Sequence, residues 1–245
     1  MRFPLIFLGA VGLTAAGLYG CAKAPGRPVP GEMPVVLSKI SDFSILYGQN
    51  CSGCHGQEGS GGAAIALANP VYLAIADDAI LRQATASGIP GTSMPAFAQS
   101  AGGMLTDKQV DEIVGGIRKR WARPEVLSGV DLPPYSSSTP GDSTRGSALF
   151  AAYCSSCHGA GGRGGQKASS IVEGSFLALM NDQELRIIVI AGRPELGAPD
   201  WRGDVPGKPL FSQDISDIVA WLASQRPKFP GQPFPTPAKV MGEIQ

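Results

Sequence analysis

A doubled motif constrains this chain most. Cys51-Ser52-Gly53-Cys54-His55-Gly56 is followed 103 residues later by Cys154-Ser155-Ser156-Cys157-His158-Gly159, and the similarity extends on both sides. Ahead of each motif runs a helical pattern at i, i+3, i+4, i+7: Phe43, Leu46, Tyr47 and Asn50 in the first copy, Gly146, Leu149, Phe150 and Tyr153 in the second. After each comes a Gly-rich loop and then a short helix, Asp77 to Arg82 against Asn181 to Arg186. Each copy closes on a stronger amphipathic helix, with Val110, Ile113, Val114 and Ile117 in one and Ile215, Ile218, Val219 and Leu222 in the other. Self-similarity of this kind marks repetition of one supersecondary unit. Here the unit is helical and nothing suggests a sheet, so the expected fold class is all-α, in two tandem copies.

Two cysteines three apart, with a histidine directly after the second, suit covalent haem attachment. Both thiols reach the vinyl groups along one porphyrin edge while the histidine ligates the iron from one face. Cys51, Cys54 and His55 make one such set, and Cys154, Cys157 and His158 another, which calls for two haem c groups. A zinc site would need further cysteine or histidine ligands, yet the chain holds two histidines, each inside a motif. A disulfide or redox dithiol would leave the paired histidines unexplained. Aromatic residues make up 7% of the 245, thin for two small cores, so something besides side chains is expected to fill the interior. Charge is balanced, 20 Lys+Arg against 20 Asp+Glu. Nucleic acid needs clustered basic residues, and the longest run, Arg118-Lys119-Arg120, sits near the end of a predicted helix, where cations are ordinary. Nucleic acid is therefore not an expected partner.

Arg2 precedes an apolar stretch to Gly20 with no further charge until Lys23, which reads as an export signal over residues 1–20. The stretch ends Leu18-Tyr19-Gly20-Cys21, similar to the lipobox of bacterial lipoproteins, although Tyr19 departs from the usual small residue. Cys21 is the odd one of five cysteines and the lipidation candidate. The alternatives are an uncleaved membrane anchor, since about 18 weakly charged residues can just span a bilayer, and plain secretion. All three place the folded part outside the cytoplasm, facing the periplasm. The lipidated cysteine and a Pro-rich tether take residues 21–37, the first unit 38–123, a linker 124–141, the second unit 142–228 and a Pro-rich tail 229–245.

With these motifs the chain resembles the class I cytochrome c family, in tandem. The resemblance rests on the first helix leading into C-x-x-C-H-G, the terminal amphipathic helix, and Gly91-Thr92-Ser93-Met94-Pro95-Ala96-Phe97. In that family a Met-Pro pair well after the haem motif supplies the distal thioether, which implies Met94 as the second axial ligand beside His55. Met33 and Met104 are weaker rivals. Histidine–methionine ligation raises the potential and fills both axial positions, which suits electron transfer. The family also implies a close crossing of first and last helices, with a glycine on the first and an aromatic on the last. Gly146 and Trp221 fit, whereas Phe43 and Gly116 exchange large for small at conserved volume. Gly146 is thus expected under Trp221, and Phe43 over Gly115 or Gly116. Arg82 and Arg186 match between the copies and are candidates to pair a haem propionate, against the plainer reading of a solvated helix face. Neither loop carries the Pro-Leu whose carbonyl orients the proximal imidazole in the family, so the resemblance names no acceptor for His55 or His158.

The second copy departs at the ligand. Gly88-Ile89-Pro90-Gly91-Thr92-Ser93-Met94-Pro95 lies over Gly192-Arg193-Pro194-Glu195-Leu196-Gly197-Ala198-Pro199, which puts Ala198 where methionine is expected. The haem at His158 is then open or water-bound on its distal side, or takes Met180, which aligns with Ala76 outside the ligand loop. A ligand from elsewhere, such as Lys208, Met241 or a partner's side chain, is the third alternative. A missing methionine lowers this haem's potential relative to the first. The resemblance implies a dihaem carrier passing single electrons between a membrane-bound donor and acceptor complex. Similar tandem domains occur as cytochrome subunits of oxidases and quinol-oxidising complexes, and low charge favours a stable complex over long-range steering. One rival is an oxidoreductase, peroxidase-like or acting on small sulfur compounds, at the open second haem, with Asp200 as its acid–base candidate. Another is a gas sensor.

Overall fold

The computed structural model describes residues 36–203 and 207–228. The export signal, Cys21, Met33, the Pro-rich tail and Met241 fall outside the described residues. Residues up to Lys39 form one unit, of which the described part is a 3-10 turn, Leu37–Lys39. The second unit, from Ile40 onward, holds both copies of the repeat. Among the described residues there is no strand, only two isolated bridges, Ala98 with Leu105 and Arg193 with Ala198.

The first copy is built from α1 (Phe43–Asn50), α2 (Ser52–His55), α3 (Pro70–Ile75), α4 (Asp78–Ser87) and α5 (Asp107–Trp121). The second runs through α6 (Ser143–Tyr153), α7 (Ser155–His158), α8 (Gly174–Ala178), α9 (Asp182–Ala191) and α10 (Ser212–Ser224). Their starts are capped by short polar side chains that take up free amides of the first turn. Asp42 accepts from Ile45 N at 2.9 Å, Asp77 from Ile80 N at 2.8 Å and Asn181 from Glu184 N at 2.9 Å. On α6 the cap is Asp142, which accepts from Thr144 N and Arg145 N, so this helix is longer than α1 at its amino end. Thr106 and Gln109 close a capping box on α5. The apolar stripes read from the sequence are buried: Val110, Ile113, Val114 and Ile117 on α5, and Ile215, Ile218, Val219 and Leu222 on α10.

The helix crossings carry the size exchange. A methyl group added at Gly116 would lie 2.0 Å from Cδ2 of Phe43, whereas one at Gly115 would meet nothing within 4 Å. Phe43 therefore sits over Gly116. In the second copy a Cβ at Gly146 would lie 1.9 Å from the Asp217 carbonyl and 3.0 Å from Trp221 Cβ. The first copy moves its large aromatic one turn on, to Trp121, whose ring stands edge-on to Tyr47 at 5.0 Å and to Phe43 at 5.7 Å between centroids. Trp221 lies against Phe150 at 4.3 Å. Asp217, fully buried in α10, accepts at Oδ1 from Asp142 N at 2.8 Å and Gln213 Nε2 at 2.9 Å, while its Oδ2 receives no hydrogen bond and is ion-paired with Arg145 Nε at 3.0 Å.

The linker is packed down. It forms a 3-10 turn at Pro124–Leu127, where Leu127 is buried, and then the Pro134 and Tyr135 carbonyls accept from Arg186 of α9. This corrects the propionate expectation for Arg186. The side chain is buried, and its donors are taken by Pro134, Tyr135, Ser212 and Ser216. Arg82 pairs instead with Asp111 at 2.7 Å and Asp107 at 3.2 Å on the exposed side of α5, the solvated reading. The two copies are joined directly as well. Asn69, buried, caps α3 through its oxygen and donates from Nδ2 to the Ala191 carbonyl at 2.9 Å, and Asn181 Nδ2 donates to Pro90 O at 3.1 Å.

Two candidate haem sites

Each C-x-x-C-H motif forms a single helical turn immediately after the first helix of its copy. Cys51 O accepts from Cys54 N at 3.2 Å and His55 N at 3.0 Å, and Cys154 O accepts from Cys157 N and His158 N at the same two distances. The chain then reverses at Gly56 and Gly159, with φ of 83° and 73°. A side chain there is impossible without rearrangement, because a Cβ would stand 1.7 Å from Ser60 O in one copy and 2.0 Å from Gly164 O in the other. Tyr47 adds a tie found only in the first copy, donating from its hydroxyl to Gly56 O at 2.8 Å.

The histidines are held by the loops that follow. His55 Nδ1 lies 2.8 Å from Ile65 O, and His158 Nδ1 lies 3.1 Å from Ser169 O. These carbonyls fill the role that sequence reasoning could not assign. Each fixes Nδ1 as the donor and leaves Nε2 as the basic nitrogen, available to ligate a metal. His55 is buried, and burial pushes its imidazole below the ordinary histidine range. The positive charge of Arg193 acts in the same direction, while the Ile65 carbonyl opposes it. The four motif cysteines are unpaired thiols. Burial, with the neighbouring motif thiol adding, pushes Cys51 up to about 12 and Cys154 up to about 11. Two free thiols and one oriented imidazole on a single turn make a donor set that fits a covalently bound haem c.

The distal loops close after α4 and α9 in the same way. Gly88 and Gly192 end these helices at φ 70° and 65°, and a Cβ would stand 2.7 Å from Met94 O at the first and 2.3 Å from Pro199 O at the second. Met94 lies half-buried in its loop, its N–H bonded to Thr92 Oγ1 at 3.1 Å and its carbonyl accepting from Ile89 N at 3.0 Å. Ala198 is fixed by reciprocal backbone bonds with Arg193, both 3.0 Å. Met180 packs against the apolar core, and its carbonyl accepts from Arg226 Nη2 at 2.7 Å. Met104 and Lys208 are exposed. Asp200 is held by Arg202 through Nε at 3.0 Å and Nη2 at 2.5 Å, and the Arg202 guanidinium lies over Trp201.

The family model described as cytochrome c oxidase, cbb3-type, subunit III matches residues 39–115 and 141–222, one stretch for each copy of the repeat. The cytochrome bc1 complex cytochrome c subunit of Corynebacterium diphtheriae is 24% identical over 230 residues, covering 89% of this chain and 77% of that protein. The protein of the same description from Mycobacterium bovis is 26% identical over 213 residues, 86% of this chain and 72% of its own length. The cbb3-type cytochrome c oxidase subunit FixP of Sinorhizobium medicae is 26% identical over 174 residues, 66% of this chain and 54% of that protein. The matched stretches span well over half of the sequence and contain both motif turns, so the chain belongs to the cytochrome c oxidase, cbb3-type, subunit III family, as an all-α haem c protein of tandem cytochrome c domains.

Proposed function

We propose that this protein is a dihaem cytochrome c subunit of a membrane respiratory complex, passing single electrons between the complex's donor and acceptor on the periplasmic side. The observation that carries the reading is the repeated motif turn, with two unpaired thiols and a histidine oriented by a loop carbonyl in each copy. Relatives described as cytochrome c subunits of bc1 complexes and of a cbb3-type oxidase support a place in such a complex. Cys51 and Cys54 would anchor the first haem, and His55 and Met94 would ligate its iron. Cys154, Cys157 and His158 would hold the second. When bound, haem c supplies a one-electron ferrous–ferric couple. The protein's part is to fix His55 and His158 by their Nδ1 hydrogen bonds, to tie the end of the first motif to Tyr47 through Gly56 O, and to present Met94 from a loop closed at Gly88.

The second site is left without a thioether. Ala198 stands in the ligand position, and Met180 is engaged with the core through its side chain and with Arg226 through its carbonyl. With no thioether offered, a haem held by His158 would be open on its distal side, high-spin and lower in potential than the first. The acid–base candidate of the enzymatic alternative, Asp200, is ion-paired with Arg202. Export through residues 1–20 and lipid on Cys21 hold the chain at the membrane. Haem stoichiometry tests the reading. The full chain is expected to carry two covalent haems, and the Cys51→Ala/Cys54→Ala and Cys154→Ala/Cys157→Ala pairs one each. A wild-type chain with a single haem would refute it.

A further inference from the structure

We propose that Arg193 is a positioning residue that couples the two haem sites and raises the potential of the first. The proposal rests on the two-haem reading above. Arg193 sits at the base of the second copy's distal loop, paired through its backbone with Ala198 at 3.0 Å in both directions. Its guanidinium crosses to the first copy, where Nη2 donates to Gly62 O at 2.7 Å and Nη1 to Ala63 O at 3.3 Å. Nε donates to Glu195 Oε1 at 2.6 Å, and the two side chains are only 14% and 20% exposed. The clamped segment lies directly on the first motif. A Cβ at Gly62 would stand 2.1 Å from Cys54 O, and Ala64 N donates to that same carbonyl at 2.9 Å. Two residues beyond Ala63 is Ile65, whose carbonyl holds His55 Nδ1.

The arrangement is one-sided. Ile89 occupies the equivalent place in the first copy and has no side-chain donor to return. The loop freed from supplying a methionine in the second copy thus serves the first. Oxidation of a haem removes one electron and adds one positive charge, so a half-buried cation on the proximal side favours the reduced form. Glu195 works against it. The pair therefore predicts shifts of opposite sign when its members are neutralised separately, which loosening of a merely structural clamp would not produce.

Spectroelectrochemical titration of the full dihaem chain tests this. Arg193→Gln is expected to lower the equilibrium constant for reducing the first haem by about tenfold, roughly 59 mV for one electron. Glu195→Gln is expected to raise it, and Arg193→Lys, which keeps the charge and loses the fork, to stay nearer the wild type than Arg193→Gln. Shifts of the same sign in the glutamine variants, or no shift in either, would overturn the inference and leave the two-haem reading standing. If Arg193→Gln fails to incorporate haem, Glu195→Gln decides alone: a raised potential supports the inference and an unchanged one overturns it. A wild-type chain with fewer than two haems would overturn both.

Discussion

At His55 and His158 the same imidazole nitrogen meets a backbone carbonyl, Ile65 in one copy and Ser169 in the other, ten and eleven residues downstream. Any residue can offer a carbonyl, so these acceptors leave no trace in side-chain identity. The cysteines and histidines were legible because covalent attachment dictates both residue type and spacing. The partners of Arg193, Arg186 and Arg118 escaped for the same reason as the histidine acceptors: all three arginines donate to main-chain oxygens, Arg118 to Leu73 and Ala76. At this scale Met94→Ala is expected to turn the first haem high-spin and lower its potential, leaving the second unchanged, as read by optical redox titration. Gly56→Ala combines a φ of 83° with a Cβ 1.7 Å from Ser60 O. It is expected to cost at least about 1–3 kcal/mol in denaturant unfolding from backbone strain alone.

Among the elements, the crossings of first and last helices were readable because volume is conserved when Phe43 and Gly116 exchange the sizes of Gly146 and Trp221. Whether Phe43 lies over Gly115 or Gly116 was not readable, since adjacent helix positions differ only by a rotation that packing decides. The pair yields a sharp contrast. Gly115→Ala meets open space and is expected to stabilise by up to about 1 kcal/mol through helix propensity. Gly116→Ala and Gly146→Ala drive a Cβ into Phe43 and the Asp217 carbonyl, and each is expected to cost about 1–3 kcal/mol by overpacking. Thermal melts of the three variants check this. The matching arginines of α4 and α9 show the opposite case. Arg82 and Arg186 share a position, yet the second copy has the linker beside α9, and its arginine went to the Pro134 and Tyr135 carbonyls.

Across the whole molecule, side chains of α9 and its following loop reach from the second copy to the first, with Asn181 on Pro90 and Arg193 on Gly62 and Ala63. Glu184 lies in the same region with Oε2 buried and without a partner. Burial raises its carboxyl above the ordinary range, against hydrogen bonds from the Asn181 backbone and the Thr92 side chain. A folded-state value above the unfolded one means that its stabilising contribution is full below the ordinary glutamate range and is lost as pH rises through the raised value. Glu184→Gln is therefore expected to raise the melting temperature at neutral pH, with the gain vanishing at pH values below that range. We propose that Met94 completes the first of two turns of one design and that Ala198 leaves the second open. Electron paramagnetic resonance of the oxidised full chain, integrated against protein, tests it most directly. The account predicts two ferric haems per chain, one low-spin and one high-spin in equal amounts. Two low-spin signals, or a single haem per chain, would contradict it.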